Sequence, residues 1–411
     1  MNKQIKKITI ALAAVGPGLF LIGYNIGTGS VTTMAKTGAE HGMELFWALV
    51  LSCIFTFFLM VAYGKVTLVS GNTALFNIKN EFQYGWVLAI YILVALITGE
   101  LLALMGLMGI VADLVQEGIR LFFNETIVPR IWIILIFAIL SFILIWIGKY
   151  KTFEKVLTVF VIIMGLSFVF VFFMVAPSFK AIAEGLVPRI PDSPGAFGLA
   201  AAIAGTTCSA AVFVMRSTVV AEKGWTILNL KDEKRDAFVS ASMMLFLSVI
   251  IMAVSAGTLH VMGMKLENTV EMVQLFKPLG GNLAAFILIL GIVGAGLSSM
   301  FPILLITPWL LADYRGKPRN IHSSQSRWLV LVALLFTFGS VFIEKKPPAL
   351  MVFSMAFQAC ILPAVAIPIL FLMNRKKLMG NNKANPMENI GIVAVILFSL
   401  LTSWFAVIDL I

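Results

Sequence analysis

The sequence predicts an all-α polytopic membrane protein, and two observations support that prediction. Of the 411 residues, 60% are hydrophobic and only 12% are charged. A soluble domain usually contains about 25% charged residues, so this chain has too few to cover the surface of a water-soluble globule. The apolar residues also form long uninterrupted runs, for example residues 132–147 and 156–175. Soluble enzymes, nucleic-acid binders and secreted disulfide scaffolds are therefore excluded.

The hydrophobic runs predict about eleven transmembrane helices, because one crossing needs about 20 apolar residues. Ranges close to 30 residues are too long for one straight crossing, so tilted or broken helices are expected among them. Residues 1–411 are predicted to form a single transmembrane domain. The predicted spans are approximately 8–38, 44–63, 85–112, 130–148, 155–176, 196–221, 237–260, 280–312, 328–344, 348–373 and 389–409.

The charge distribution predicts the orientation of the chain. The formal net charge is +10. With the N-terminus in the cytoplasm, the 30 Lys and Arg residues divide into 20 cytoplasmic, 8 external and 2 within helices. Cytoplasmic loops are enriched in basic residues, so we expect a cytoplasmic N-terminus and an external C-terminus in the plasma (inner) membrane. The positive charge thus reflects topology and does not indicate a nucleic-acid partner.

Two predicted spans interrupt their own hydrophobicity in the same way. Span one has Gly-Pro-Gly at residues 16–18 and a polar, glycine-rich stretch at 25–30. Span six has Pro194-Gly195 and then Gly-Thr-Thr-Cys-Ser at 205–209. Glycine and small hydroxyl residues hold a helix interior poorly, and a break inside a bilayer is tolerated only where it lines a cavity or is buried in protein.

The spacing of these breaks indicates an inverted repeat of five plus five spans. Repeat one covers about 8–176, repeat two about 196–373, and an extra helix about 389–409. Paired interrupted segments point to the binding site of a secondary transporter, where exposed carbonyls attract cations and exposed N–H groups attract anions. The alternative is that the small residues only allow close helix packing.

A few polar side chains remain inside the predicted spans, where they are costly and usually functional. Glu100 lies mid-span and could relay protons or contact a cation; otherwise it is a neutral carboxyl hydrogen-bonded between helices. Arg216 lies near the inner end of span six, and its simplest interpretation is snorkelling to the cytoplasmic surface. Gln358 could face a cavity or form an interhelical hydrogen bond. The 21 methionines are interpreted mostly as core filling.

The chain resembles the Nramp divalent-metal transporters, which have the LeuT-type fold, over nearly its whole length. Each matching segment is short, and their order and spacing make the resemblance specific. The matching segments are Gly16-Pro17-Gly18, Thr37-Gly38-Ala39, Trp47-Ala48-Leu49, Leu68-Val69-Ser70-Gly71, Phe153-Glu154-Lys155, Gly185-Leu186-Val187-Pro188, Ala295-Gly296-Leu297-Ser298-Ser299, Leu362-Pro363 and Lys377-Leu378-Met379-Gly380.

The resemblance also shows where the metal-binding motifs have changed. The family's Asp-Pro-Gly-Asn aligns with residues 27–30, so Gly27 replaces the metal-binding Asp and Ser30 the Asn. The family's Met-Pro-His aligns with residues 209–211, so a hydroxyl replaces the thioether that selects transition metals. A second family His aligns with Arg216, and Glu100 is the nearest match to the family's acidic pair in span three.

These replacements predict a nearly neutral site made of hydroxyls and backbone carbonyls. Manganese and iron sites usually combine a carboxylate with softer ligands, and neither break contains a carboxylate. Ser30, Thr206 and Ser209 are the candidate metal contacts, and Glu100 with Arg216 the candidate proton pathway. The full predicted substrate-binding set is Gly27, Thr28, Gly29, Ser30, Thr206, Cys208, Ser209 and Gln358.

Three functional hypotheses follow. The first is an Nramp-like secondary transporter that moves a divalent metal cation by alternating access, with the proton as a possible coupling ion. The second keeps the fold and replaces the metal with a small solute, an amino acid or an organic acid, held by N–H groups of the neutral break. The third is a non-transporting membrane sensor. No enzymatic activity and no cofactor are expected, and the protein is predicted to be a monomer in the lipid bilayer.

Overall fold

The computed structural model describes residues 27–123, 128–147, 150–175, 177, 179–275, 277–342 and 347–409. Within these ranges the regular structure is entirely helical. The first predicted interruption, at residues 16–18, and Asn25 lie outside the described residues. The α-helices are α1 (Thr28–His41), α2 (Phe46–Ser70), α3 (Ala74–Glu81), α4 (Gly85–Phe123), α5 (Arg130–Ile147), α6 (Tyr150–Val175), α7 (Phe179–Glu184), α8 (Ala196–Thr207), α9 (Ala210–Glu222), α10 (Leu230–Ser255), α11 (Lys277–Arg315), α12 (Ser324–Thr337), α13 (Pro347–Asn374), α14 (Lys376–Met379) and α15 (Pro386–Ile408).

The helices agree with the predicted spans over most of the chain. Among the described residues, nine helical stretches are long and apolar enough to cross a membrane, and each corresponds to one predicted span. Helix α6 corresponds to the span predicted at 155–176, and α1 is the described part of span one. A short π-helical turn, Ala256–His260, continues α10.

The end of the second span was predicted too early. Helix α2 continues to Ser70, whereas the sequence placed Lys65 in a cytoplasmic loop. Lys65 is in fact a buried helix residue whose ammonium group donates to the Glu388 carboxylate of α15 at 2.7 Å. A buried charge needs a partner, and the partner lies more than 300 residues away in the sequence, where local hydropathy cannot detect it.

The centre of the bundle is formed by the helices that are broken or that pack on the break. In the 18-residue apolar stretch of α8 and α9, 94% of the residues are buried inside the protein, whereas in that of α5 only 28% are buried. Helix α13 packs against α8, α4 and α15. In contrast, α5 exposes large apolar side chains such as Trp132 and Ile136, as expected of a helix that faces lipid. The broken span therefore lies in the interior, where a cavity can be enclosed.

The predicted interruption of span six is confirmed. Helix α8 ends at Thr207, Cys208 follows in a non-helical conformation, and α9 begins at Ala210. Close packing holds this region, because a Cβ atom built on Gly205 would lie only 1.7 Å from the backbone oxygen of Met355 in α13. Glycine at this position lets the two helix backbones approach each other.

We predict that Gly205→Ala destabilises the protein, because the added methyl group would overlap a backbone atom that cannot rotate away. Overpacking of this kind typically costs about 1–3 kcal/mol. Gly165→Ala in α6 is the matched control, since its Cβ would lie at an ordinary 3.7 Å from Leu247. Thermal unfolding of the purified protein in detergent measures both variants. A Gly205→Ala protein as stable as Gly165→Ala would contradict the close helix approach.

Candidate functional site

The two predicted breaks meet at a buried cavity. Helix α1 begins at Thr28, directly after Gly27 in an extended conformation, and its first turn faces the end of α8. The Ser30 and Thr206 hydroxyl oxygens lie 2.9 Å apart, within hydrogen-bond distance. These residues are 176 positions apart in the sequence, so this contact joins the start of α1 to the break in span six.

The cavity is small, with about 40 Å³ accessible to the centre of a water molecule, and it is lined by five parts of the chain. Seven of the eight predicted substrate-binding residues line it, and so does Glu100. The lining residues are Gly27, Thr28, Gly29 and Ser30 at the start of α1; Glu100, Ala103 and Leu107 in α4; Gly205, Thr206 and Ser209 at the α8–α9 break; Ser299 and Ile303 in α11; and Met351, Met355 and Gln358 in α13.

Cys208 is the predicted residue that does not line the cavity. It is fully buried and its thiol lies near Thr56 of α2. Thr206 and Ser209 line the cavity, whereas Cys208, in the non-helical link between α8 and α9, does not. The Cys208 thiol is thus not among the groups that line the cavity, because composition alone does not give the direction of a side chain.

A chain of hydrogen bonds connects the break in span six to Glu100. The Ser209 hydroxyl donates to the Gln358 amide oxygen at 3.3 Å. The Gln358 amide nitrogen donates in turn to the Glu100 carboxylate. All three side chains are at most 5% exposed. Gln358 thus takes both predicted roles, since it faces the cavity and forms interhelical hydrogen bonds.

Ser209 precedes α9 at the position where serine usually caps a helix. A capping serine accepts from N–H groups of the first turn, but the Ser209 side chain makes no such bond and is directed to Gln358 instead. Gly27 before α1 has no side chain with which to cap. Two helix N-termini therefore begin at the cavity wall without side-chain caps, beside the C-terminal end of α8.

Sequence reasoning missed three lining residues with polar or sulfur-containing side chains, Met351, Met355 and Ser299, besides the apolar Ala103, Leu107 and Ile303. The two methionines were assigned to core filling along with the others. Helical spacing could have identified them, because residues 351, 355 and 358 lie on one face of a helix and Gln358 was already a cavity candidate. Ser299 belongs to a segment that was used only for the family resemblance.

Arg216 does not line the cavity, and its predicted snorkelling is wrong. Its side chain is 0% exposed and forms ion pairs with two carboxylates of α10, Glu233 at 2.8 Å and Asp236 at 2.5 Å. Both carboxylates are also buried. Charges removed from water must be paired, and α10 provides the partners that make a buried arginine tolerable. We call these three residues the inner ion cluster.

The cavity itself has little charge. Glu100 is the only ionisable side chain among its lining residues. No group of three or more His, Cys, Asp or Glu residues that could hold a metal occurs in the described parts of the chain. The lining instead offers hydroxyls, an amide, thioethers and the ends of helices.

Comparison with known proteins identifies the family. The family model described as "Natural resistance-associated macrophage protein-like", or Nramp, matches residues 18–409. The chain belongs to the Nramp family. The divalent metal cation transporter MntH of Caldanaerobacter subterraneus subsp. tengcongensis is 22% identical over 97% of this chain and 92% of its own length. MntH of Yersinia pestis is also 22% identical, over 92% and 90% of the two chains.

Solved structures show the same fold. A manganese transporter of Eremococcus coleocola superposes with a TM-score of 0.71 at 16% identity, covering 98% of this chain and 87% of that one. Mhp1, a nucleobase-cation-symport-1 family transporter, superposes with a TM-score of 0.64 at 15% identity, covering 96% and 93%. The LeuT-type fold predicted from the sequence is therefore confirmed.

The nearly neutral cavity contrasts with the metal-binding motifs that the family resemblance aligns with it. At the positions where Nramp proteins have the metal-binding Asp and Met, Gly27 and Ser209 line the cavity of this chain. The cavity is retained although its two characteristic side chains are replaced. The chain thus keeps the family's fold with different side chains at these two positions.

We predict that Arg216→Ala strongly destabilises the protein, because it leaves the carboxylates of Glu233 and Asp236 buried without their cation. Removing one partner of a buried ion pair typically costs about 3–5 kcal/mol. Thermal unfolding in detergent measures the loss. Lys180→Ala is the control, since Lys180 is 84% exposed and lies 3.9 Å from Glu184. Equal melting temperatures for the two variants would contradict the importance of the inner ion cluster.

Proposed function

We propose that this protein is a secondary transporter that moves a divalent metal cation across the membrane. The observation that supports this most directly is the cavity of the Nramp-family fold at the junction of its two breaks, joined by the Ser30–Thr206 contact. The curated relatives are named as divalent metal cation transporters. These names support the metal hypothesis and neither of the alternatives, a non-metal solute carrier or a sensor. The family consists of transporters, so no enzymatic reaction or cofactor is assigned.

In this proposal the metal binds between the broken helices. The hydroxyls of Ser30, Thr206 and Ser209 contact it, and the Gln358 amide and helix-end carbonyls complete the shell. A neutral oxygen site binds a bare divalent ion less tightly than a carboxylate site does. Glu100 lines the same cavity and provides its one ionisable side chain, so we assign it the role of balancing the charge of the ion.

Transport would occur by alternating access. Helix α1 and the α8–α9 pair would move with their bundle against a scaffold that contains α4, α5, α11 and α12. Glu100 would bind and release the coupling proton from within the cavity. Arg216 would take part only through the inner ion cluster, because Glu233 and Asp236 are its direct partners.

We further propose that residues 1–411 act as one transporter domain with two inverted repeats. The protein would be a monomer in the plasma (inner) membrane, with a cytoplasmic N-terminus and an external C-terminus. The orientation rests on the excess of basic residues in the loops assigned to the cytoplasm, and several of these residues form ion pairs in the structure. They include Lys65 and Lys234 with Glu388, and Arg319 with Glu222. Apolar side chains such as Phe173, 79% exposed, suit contact with lipid.

We predict that the double variant Ser30→Ala, Ser209→Ala raises the apparent KM for Mn²⁺ uptake into proteoliposomes by roughly ten- to thirtyfold. Each lost hydroxyl removes about 1 kcal/mol of net interaction, and 1.4 kcal/mol is tenfold. Each substitution also removes a buried hydrogen bond, to Thr206 or to Gln358, so the melting temperature should fall and uptake is compared at a temperature where both proteins are folded.

Ser248→Ala is the matched control for that experiment. Ser248 is a buried serine of α10 that does not line the cavity, so its KM should match that of the wild type. If the double variant takes up Mn²⁺ with the same KM as the wild type and Ser248→Ala, the two hydroxyls do not contact the ion.

We also predict that Glu100→Gln uncouples metal uptake from proton movement. Glutamine keeps an oxygen that can accept from Gln358 and removes the titratable group. Metal entry should therefore be accompanied by little internal acidification, which an internal pH dye measures. Glu117→Gln is the control, because Glu117 lies in the same helix and pairs with Arg120. Unaltered proton movement per metal ion in Glu100→Gln would refute this role for Glu100.

A further inference from the structure

The thioether that the family places in span six is missing from this chain, but the cavity contains two others. Met351 and Met355 of α13 both line it, and both side chains are buried, at 1% and 9% exposure. They lie on the same face of α13 as Gln358, four and three residues apart. One helix face therefore presents two sulfur atoms and an amide to the cavity.

The two sulfur atoms converge on the first break. A Cβ atom built on Gly29 would lie 3.1 Å from the Met355 sulfur and 3.5 Å from the Met351 sulfur. These two distances place the sulfur atoms less than about 7 Å apart, next to the first turn of α1. The absence of a side chain at Gly29 makes room for them, since even a methyl group would press on Met355.

We propose that Met351 and Met355 are metal-selecting ligands of this transporter, and that they give its site a preference for soft or borderline ions over Mg²⁺ and Ca²⁺. The inference rests on the proposed function as a metal transporter. The thioethers come from α13, the helix whose Gln358 accepts a hydrogen bond from Ser209 at the start of α9.

The chemistry of the other lining groups supports this role. Hydroxyl, amide and carbonyl oxygens are hard ligands that also suit Mg²⁺ and Ca²⁺. Thioethers are soft and bind these two ions poorly. In a cavity with one ionisable group, the two sulfur atoms are therefore the groups that can discriminate between classes of cation. Methionine used only to fill space would not affect that discrimination.

The test is metal binding by the purified full-length protein, measured by calorimetry with Cd²⁺ as the soft probe and Mg²⁺ as the hard one. Met351→Leu, Met355→Leu keeps the volume and removes both sulfurs. We expect Cd²⁺ affinity to fall at least tenfold and Mg²⁺ affinity to change less than threefold. Met373→Leu is the control, because Met373 is buried in the same helix and does not line the cavity.

The outcomes separate the inference from the function on which it rests. An unchanged ratio of Cd²⁺ to Mg²⁺ affinity in the double variant would overturn the inference and leave metal transport standing. Failure of the wild type to bind any divalent ion would overturn both.

X-ray absorption at the cadmium edge provides a second measurement that needs no variant. A sulfur shell around Cd²⁺ bound to the wild type is expected. A shell of oxygen and nitrogen alone would overturn the inference, even if the double variant did not fold.

Discussion

A helix that is interrupted inside a bilayer leaves backbone N–H and C=O groups without helical partners, and lipid cannot satisfy them. This constraint dominates the structure. The break in span six is buried at the centre of the bundle, where the Thr56 hydroxyl donates to the Thr207 carbonyl at 2.8 Å. The first turn of α1 lies beside it, and the Ser30 and Thr206 hydroxyls meet between them. The start of α1, the end of α8 and the start of α9 meet at one cavity, where we propose that the ion binds.

The exclusion of water from the bundle also determines how charged side chains are accommodated. Inside the bundle every ion pair must compensate for the loss of solvation, so ionised groups occur in compact clusters at the helix ends. Arg216 with Glu233 and Asp236, and Lys65 with Glu388, are examples. The cavity shows the opposite solution, since it depends on neutral donors and acceptors and a single carboxyl. A site of this kind binds a cation without holding it permanently, which suits a protein that must release its cargo.

The cavity also shows how a family site can change while the fold persists. The contacts that position the break are made by backbone, glycine and small hydroxyl residues, for example Gly205 against Met355. Gly27 and Ser209 line the cavity, and the close contact of Gly205 with the Met355 backbone does not involve either of them. Ligand chemistry is therefore free to move to another helix, as we propose for the thioethers of α13.

Much of this protein could be derived from the sequence alone. Hydropathy gave the spans, and the glycine and hydroxyl clusters gave the break in span six, because both follow from the local chemistry of the backbone in lipid. Seven of the eight predicted binding residues line the cavity, because most of them belong to the glycine and hydroxyl clusters of the breaks. Only the tertiary structure decided the direction and the partners of the side chains. It turned Cys208 away from the cavity, buried Arg216 against α10, extended α2 to include Lys65 and brought Met351 and Met355 to the break. These features depend on contacts between distant segments, which local sequence patterns do not encode.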